Sequence, residues 1–293
     1  MKILRASHLG MCFGVRDAID LAQQTARHEP LTVFGDLVHN PTVLERLHTQ
    51  GVQIERQAAA ISTVAVMITA HGASERARRQ LADTGRRVIE ATCPLVHAAH
   101  RAVARLVRDG FHPVIIGKRD HVEVRGLTED LAAFDVVLSP EDIDALPDKP
   151  RYGVAAQTTQ PIERVRELAG MVRRRFPQAE VRFIDTVCQP TKLRQHAAEE
   201  IAQHSDVVVV IGGANSNNTR ELVATCGRFC PRVHHVQTAE DLLPTWFDGA
   251  ATVGITAGTS TPDDVIDAVE ARLREMASAA EVKASKHSIM EVA

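Results

Sequence analysis

The stretch Arg87-Val88-Ile89-Glu90-Ala91-Thr92-Cys93-Pro94-Leu95-Val96 decides how this chain is read. A β-branched run leads into a cysteine, and a helical pattern over 95–108 starts at once. A second β-rich run at 113–117 ends in Gly117, 24 residues after Cys93, and His121 stands four residues further on. The same order recurs around two other cysteines. Gly35 lies 23 residues after Cys12, and Gly212 lies 24 after Cys188. His39 and Ser216 again follow four residues later. A later strand in each repeat ends in a polar loop: Thr69-Ala70-His71-Gly72, Ala156-Gln157-Thr158-Thr159 and Thr256-Ala257-Gly258-Thr259-Ser260. One element order, met three times at matching intervals, marks an internal repeat.

Working outward, strands are expected at 64–69, 87–92, 113–117, 135–138, 181–187, 206–212 and 251–256. Helices are expected at 17–26, 95–108, 162–176, 192–204 and 262–276. Alternating strand and helix predicts an α/β fold with mainly parallel sheets. The repeat divides it into three similar α/β units, 1–86 with Cys12, 87–180 with Cys93 and 181–270 with Cys188. A helix end and tail fill 271–293, and the small polar residues after Ala277 read as a loosely ordered end. In parallel sheets, ligand groups gather beyond the carboxyl ends of the strands. Three units in a pseudo-threefold arrangement would bring three thiolates and a ring of polar groups to one centre.

Composition narrows the function. A length of 293 residues gives a soft prior of roughly two domains, which the repeat revises to three smaller units. Lys plus Arg is 34 and Asp plus Glu is 37, so the net charge of −3 speaks against nucleic acid as a partner. Aromatic residues are only 3%, too few for a base-stacking platform. Five cysteines, an odd number in a large chain, do not make a disulfide framework. The first residues lack an apolar signal core, and the apolar run at 207–211 is too short to span a bilayer. No membrane is expected as a partner. A cytoplasmic protein is expected, with thiols free or metal-bound.

Three thiolates from separate units can hold an iron–sulfur cluster. A cubane 4Fe–4S cluster usually takes four, so three would leave one iron open as a Lewis acid. Zinc in a Cys₃ or mixed Cys/His site is the rival, and spacing alone does not choose between them. A single cysteine would read as a small buried hydrophobe, but three in register do not. Cys226 and Cys230 lie off the register and read as incidental thiols. The polar ring holds His39, His71, His121, Thr158, Thr159, Ser216, Asn217, Asn218 and Ser260. Neutral donors at helix starts and protonatable imidazoles suit a phosphate group. The stretch 215–219 would also serve as an elaborate helix cap. Glu123 is the one acid in the ring. In a closed cavity its pKa would rise and it could deliver protons; on a strand surface it would do neither.

Together these residues resemble the 4-hydroxy-3-methylbut-2-enyl diphosphate reductase (LytB/IspH) family over about residues 2–276. The stretches that carry the resemblance begin with Gly10-Met11-Cys12-Phe13-Gly14-Val15, Val38-His39-Asn40, Ala70-His71-Gly72 and Ala91-Thr92-Cys93-Pro94-Leu95-Val96. They continue with His121-Val122-Glu123-Val124, Gln157-Thr158-Thr159, Asp185-Thr186-Val187-Cys188, residues 215–219 and Thr256-Ala257-Gly258-Thr259-Ser260. The resemblance implies three α/β domains around a central 4Fe–4S cluster ligated by Cys12, Cys93 and Cys188. One iron is open, and loss of that labile iron would leave 3Fe–4S. It implies that His39, His71, His121, Ser216, Asn217, Asn218 and Ser260 hold the diphosphate of a small allylic substrate. It implies that Thr158, Glu123 and His121 act near the reacting hydroxyl, with Glu123 as proton supply. The implied reaction is a two-electron, two-proton loss of water giving isopentenyl and dimethylallyl diphosphates, the last step of the non-mevalonate route. No Gly-x-Gly-x-x-Gly fingerprint is visible, so the implied electron donor is an external protein such as ferredoxin or flavodoxin. Val122 stands where many members have Pro, and Asn217 where some have Ser. A zinc hydrolase and a non-catalytic iron–sulfur sensor are the alternatives from other classes.

Overall fold

The computed structural model describes residues 1–291, with side chains through 279. The chain opens with β1 (Lys2–Arg5), α1 (Phe13–Ala26), β2 (Leu31–Phe34), α2 (Pro41–Thr49), β3 (Gln53–Glu55), β4 (Ala65–Ile68), α3 (Glu75–Ala82) and β5 (Arg87–Glu90). Next come α4 (Pro94–Arg108), β6 (His112–Ile116), α5 (Val122–Thr128), β7 (Asp135–Val137), α6 (Pro140–Asp144), β8 (Arg151–Ala156), α7 (Ile162–Arg175) and β9 (Glu180–Phe183). It ends with α8 (Gln189–Gln203), β10 (Val207–Ile211), α9 (Asn217–Gly227), β11 (Val233–Val236), β12 (Thr252–Ala257) and α10 (Asp263–Glu291).

The strands form three four-stranded sheets among the described residues, ordered β3-β2-β4-β5, β7-β6-β8-β9 and β1-β12-β10-β11. Every pairing within them is parallel. Such sheets bury both faces, and β4 and β10 are buried along their whole length. The α/β reading therefore holds, and the repeat is visible in the topology. In each sheet the first strand lies between the second and the third, and the fourth lies outside the third. For the last sheet that fourth strand is β1, contributed by the start of the chain.

This topology moves the boundaries expected at 86/87 and 180/181. Arg87 pairs with Ala65, and Glu180 pairs with Arg151, so β5 and β9 each complete the preceding sheet. A strand leading into a cysteine is legible in sequence, but the sheet it joins is not. By compactness the chain makes two units. One comprises 12–192 and carries the first two sheets; the other comprises 1–11 with 193–293 and carries the third. The expected loose end after Ala277 is instead helical, because α10 continues to Glu291. That segment is rich in Ala, Glu and Lys, all good helix formers. Among the described residues no helix is long and apolar enough to cross a membrane.

The order within each sheet creates a switch point between its first and third strands, where loops diverge and leave a crevice. His39 and His71 follow β2 and β4. His121 and Thr158 follow β6 and β8, and Ser216 and Ser260 follow β10 and β12. Each expected polar loop thus flanks a switch point of its own sheet.

Candidate active site

Cys93 is the N-cap of α4, with Pro94 at the first helical position, and its carbonyl accepts the His97 amide at 3.0 Å. Cys12 caps α1 in the same way, its carbonyl accepting from Arg16 at 3.0 Å. The Cys188 carbonyl accepts from Lys192 at 3.2 Å. Three cysteines thus open three helices with the same backbone bond. None is in a disulfide, and each is part-buried. A Cβ added to Gly14 would run into Sγ of Cys93, so the first turn of α1 lies against that sulfur.

Helix N-termini favour thiolates, but burial opposes them here. Burial pushes the Cys93 thiol up, against two first-turn amides that pull it down. Burial also pushes Cys188 to about 11, despite the Thr191 hydroxyl 3.0 Å from its sulfur. Both thiols feel Cys12 and Glu123 as further negative neighbours. A bound metal centre would remove their protons by its own charge. Four ligands around a single zinc would hold sulfurs about 3.8 Å apart, given Zn–S near 2.3 Å. Among the described residues, the group of His, Cys, Asp or Glu whose ligand atoms all lie within 4.8 Å of one another is His39, His71 and His121, not the cysteines. The three sulfurs are therefore spread wider than a single zinc ion would hold them.

The three imidazoles come from the loops after β2, β4 and β6. His39 and His71 stack with centroids 4.5 Å apart, and His121 meets them edge-on at 5.1 and 5.6 Å. Burial holds His71 well below the usual imidazole range, and its two imidazole neighbours lower it further. Nδ1 of His71 is buried with no hydrogen-bond partner, and a bond from the ring to the Asp36 backbone raises its pKa against burial. An anion's oxygens would satisfy that nitrogen by drawing a proton onto it.

Glu123 sits in the first turn of α5, whose N-cap is His121; Nδ1 of His121 accepts the Glu123 amide at 3.1 Å. The side chain is 1% exposed, which removes the strand-surface reading. Its carboxylate accepts the Thr158 amide at 2.6 Å and the Thr158 hydroxyl at 3.0 Å. Burial raises its pKa to about 7, against both Thr158 bonds. A carboxyl group that keeps its proton near neutrality is a competent general acid.

In the other compact unit, Ser216 caps α9 by accepting the Thr219 amide at 3.3 Å. Asn218 accepts the Thr259 amide at 3.0 Å. The cap reading is therefore correct for Ser216 but does not use up the stretch. The side-chain amide nitrogens of Asn217 and Asn218 are buried without a hydrogen-bond partner. Ser260, in the loop after β12, is also buried. Unsatisfied donors at a helix start are what an anionic group would satisfy.

The structure thus gathers Cys12, Cys93, Cys188, His39, His71, His121, Glu123 and Thr158 in one unit, and Ser216, Asn217, Asn218 and Ser260 in the other. Cys226 and Cys230 lie in an apolar core with Leu222 and Val208, and burial pushes Cys226 to about 12. Thr191 escaped the sequence reading. Its place three residues after Cys188, in the first turn of α8, was the available signal.

Comparison with known proteins gives the family of the chain. The family model described as LytB protein matches residues 3–274. The 4-hydroxy-3-methylbut-2-enyl diphosphate reductase of Aquifex aeolicus (strain VF5) is 38% identical over 282 residues, covering 94% of this chain and 97% of that protein. The enzyme of the same name from Geobacter sulfurreducens is 38% identical over 280 residues, covering 94% and 98%. A solved (E)-4-hydroxy-3-methyl-but-2-enyl diphosphate reductase, described as the terminal enzyme of the non-mevalonate pathway, has 37% identity and a TM-score of 0.68. That match covers 94% of this chain and all of the other. The Plasmodium falciparum E-1-hydroxy-2-methyl-but-2-enyl-4-diphosphate reductase has 25% identity and a TM-score of 0.84, covering 90% and 85%. By sequence along nearly its whole length and by fold, the chain belongs to the LytB family of 4-hydroxy-3-methylbut-2-enyl diphosphate reductases.

Proposed function

We propose that the chain reduces 4-hydroxy-3-methylbut-2-enyl diphosphate to isopentenyl and dimethylallyl diphosphates, using an iron–sulfur cluster held by Cys12, Cys93 and Cys188. The observation that carries this reading is Glu123, a carboxyl group 1% exposed and held by the Thr158 amide and hydroxyl, whose burial raises its pKa to about 7 and which lies within electrostatic reach of two of the cysteines. When bound, a 4Fe–4S cluster with three cysteine ligands supplies electrons one at a time and an iron open to an oxygen ligand.

The chain's own residues supply the rest. Hydroxide leaves poorly, so Glu123 donates its proton to the substrate hydroxyl as the C–O bond breaks and water departs. Two electrons and a second proton complete the allyl group as an alkene. Thr158 fixes both carboxylate oxygens and so aims the proton. In the unit spanning 12–192, His39, His71 and His121 offer imidazoles to phosphate oxygens; taken by themselves, Ser216, Asn217, Asn218 and Ser260 of the other unit offer neutral donors suited to the same chemistry. His121 has a second task, because its Nδ1 holds the amide of Glu123. The electrons come from an external protein of the ferredoxin or flavodoxin class.

The test is turnover of the allylic diphosphate by anaerobically purified protein with a low-potential reductant, alongside iron and acid-labile sulfide per chain. Cluster without turnover would favour the sensor reading. The zinc reading is favoured by one observation, the closeness of the three imidazoles. A colourless protein with stoichiometric zinc and no sulfide would establish it and remove the reductase.

A further inference from the structure

The first two sheets lie in one unit but share no strand pairing. No ladder hydrogen bond therefore sets the position of His71, after β4, against that of His121 and Glu123, after β6. One backbone bond, from the Cys93 amide to the Ala70 carbonyl at 3.0 Å, ties the His71 loop to the start of α4, while the hydrogen bonds that reach the end of α5 run to side-chain carboxylates. We propose that Asp130, with the Ser74–Glu129 pair, is a positioning residue that holds the His71 loop in register with the helix carrying His121 and Glu123. The inference rests on the function proposed above.

Helix α3 begins four residues after His71, and its first-turn amides need acceptors. Two find them outside their own lobe. The Asp130 carboxylate accepts the Glu75 amide at 2.6 Å and the Arg76 amide at 3.0 Å. Asp130 lies just beyond the end of α5. Its neighbour Glu129 accepts the hydroxyl of Ser74, the α3 N-cap, at 2.6 Å, and pairs with Arg76 at 3.3 Å. Ser74 is 1% exposed, so its hydroxyl is held by Glu129 and by the Ala77 amide, which it accepts at 3.0 Å. Charge-assisted bonds to a helix N-terminus are among the stronger ones a surface carboxylate makes.

A second observation fills the gap between the two segments. The His100 ring, projecting from α4, packs tightly against Gly72 and lies within van der Waals contact distance of Gly126. Its Nε2 is 3.3 Å from a Cβ built on Gly72 and 3.6 Å from one built on Gly126. Gly72 also has φ of +78°, which an L side chain resists. Backbone on both sides thus closes onto one ring, while the carboxylates beyond α5 tie the outer edge. From His71 to Ser74 there is one short loop, and from His121 to Asp130 one short helix. Fixing the far ends of these two pieces fixes the imidazoles and the carboxyl group at their near ends.

The experiment compares the holoenzyme with Asp130→Ala and Asp130→Asn in steady-state kinetics, inorganic diphosphate affinity by calorimetry, and iron content. Asp130→Ala is expected to raise KM and weaken diphosphate binding about tenfold, with kcat lowered and iron per chain unchanged. Asp130→Asn, which keeps one acceptor, should recover part of the KM change. A merely structural cap would lower the melting temperature yet leave KM and diphosphate affinity at parental values, and that result would overturn the proposal. If Asp130→Ala does not accumulate, Glu129→Gln carries the same comparison. An inactive parent would instead refute the function proposed above, so the two failures are distinguishable.

Discussion

Replacing Glu123 by Gln should make the protein more stable at alkaline pH while removing most of its turnover. The carboxyl group ordinarily titrates at 4.5 and is pushed to about 7 here, with burial as the largest cause. Between those pH values the folded chain keeps a proton that the unfolded chain releases. Stability therefore falls as pH rises from 4.5 to 7, and the loss is complete above 7. At 1.36 kcal/mol per unit, the full cost is about 3 kcal/mol. Gln carries no such cost. It has nearly the same volume, its carbonyl can accept the Thr158 amide, and the Thr158 hydroxyl can turn to accept from its amide. The stability gain of Glu123→Gln should thus be near zero at pH 4.5, grow through pH 6 and level off above pH 7.

Turnover should move the other way. Loss of a positioned general acid typically costs about 10²- to 10⁴-fold. In the parent, kcat should fall as pH rises through about 7, because the protonated form is the working one. Glu123→Gln should show a flat, low profile. Urea unfolding at pH 5 and pH 8 measures the stability difference, and anaerobic assays with a low-potential reductant measure the rate. Parental turnover in Glu123→Gln, or an equal stability difference at both pH values, would refute the reasoning.

Thr158→Val removes a hydroxyl bond that lowers the Glu123 pKa, so the falling limb of the pH–rate profile should shift upward, with kcat reduced roughly tenfold. Inorganic diphosphate should bind with net proton uptake near pH 7, since His71 is neutral in the free site and gains a proton against the anion; calorimetry in buffers of different ionisation enthalpy reads this directly. Cys93→Ser should lose cluster iron, whereas Cys226→Ser should keep it at a stability cost of about 1 kcal/mol, both measured as iron and sulfide per chain. Gly14→Ala should also lose iron, because its methyl group would displace Sγ of Cys93.

The periodic features of this chain were legible in its sequence. Strands and helices alternate with residues of one kind at their junctions, so the cysteine-to-glycine interval shows the repeat without coordinates. The polar loops after β2, β4 and β6 were found for the same reason, since each ends a short β-rich run, and the loop after β8 was found by its matching place in the repeat. Relations that depend on which strands pair were not legible. Arg87 opens a β-branched run before Cys93, yet it belongs with Ala65 rather than with His112. Sequence-local patterns carry the direction of a strand but not the identity of its neighbour. The burial of Glu123 was open for the same reason. Only the packing of α5 against the loop after β8 decides it, through two bonds from a residue 35 positions away. Asp130 was invisible in a different way, because a carboxylate after a helix is ordinarily a solvated residue.

The acidity of the site follows from which side chains surround it. Burial raises the Glu123 pKa and the two Thr158 bonds lower it, and none of these influences comes from a Lys or Arg side chain. One guanidinium beside the carboxylate would favour its ionised form and depress its pKa by about one to three units. Glu123 would then be a poor proton donor at neutral pH. The burial that gives Glu123 its proton also keeps Cys93 and Cys188 protonated. Those thiols need a metal's charge to ionise, whereas Glu123 needs the absence of any permanent cation to stay neutral. Imidazoles reconcile the two demands. His71 is neutral while the site is empty and becomes a cation only against an anion's own charge. A permanently charged residue at position 71 would therefore hold the diphosphate while disarming the acid. His71→Lys should retain diphosphate affinity better than His71→Asn, yet shift the falling limb of the kcat/KM profile, which reports the free enzyme, below that of the parent. An unshifted limb in His71→Lys would mean that the imidazoles were not chosen for this electrostatic reason.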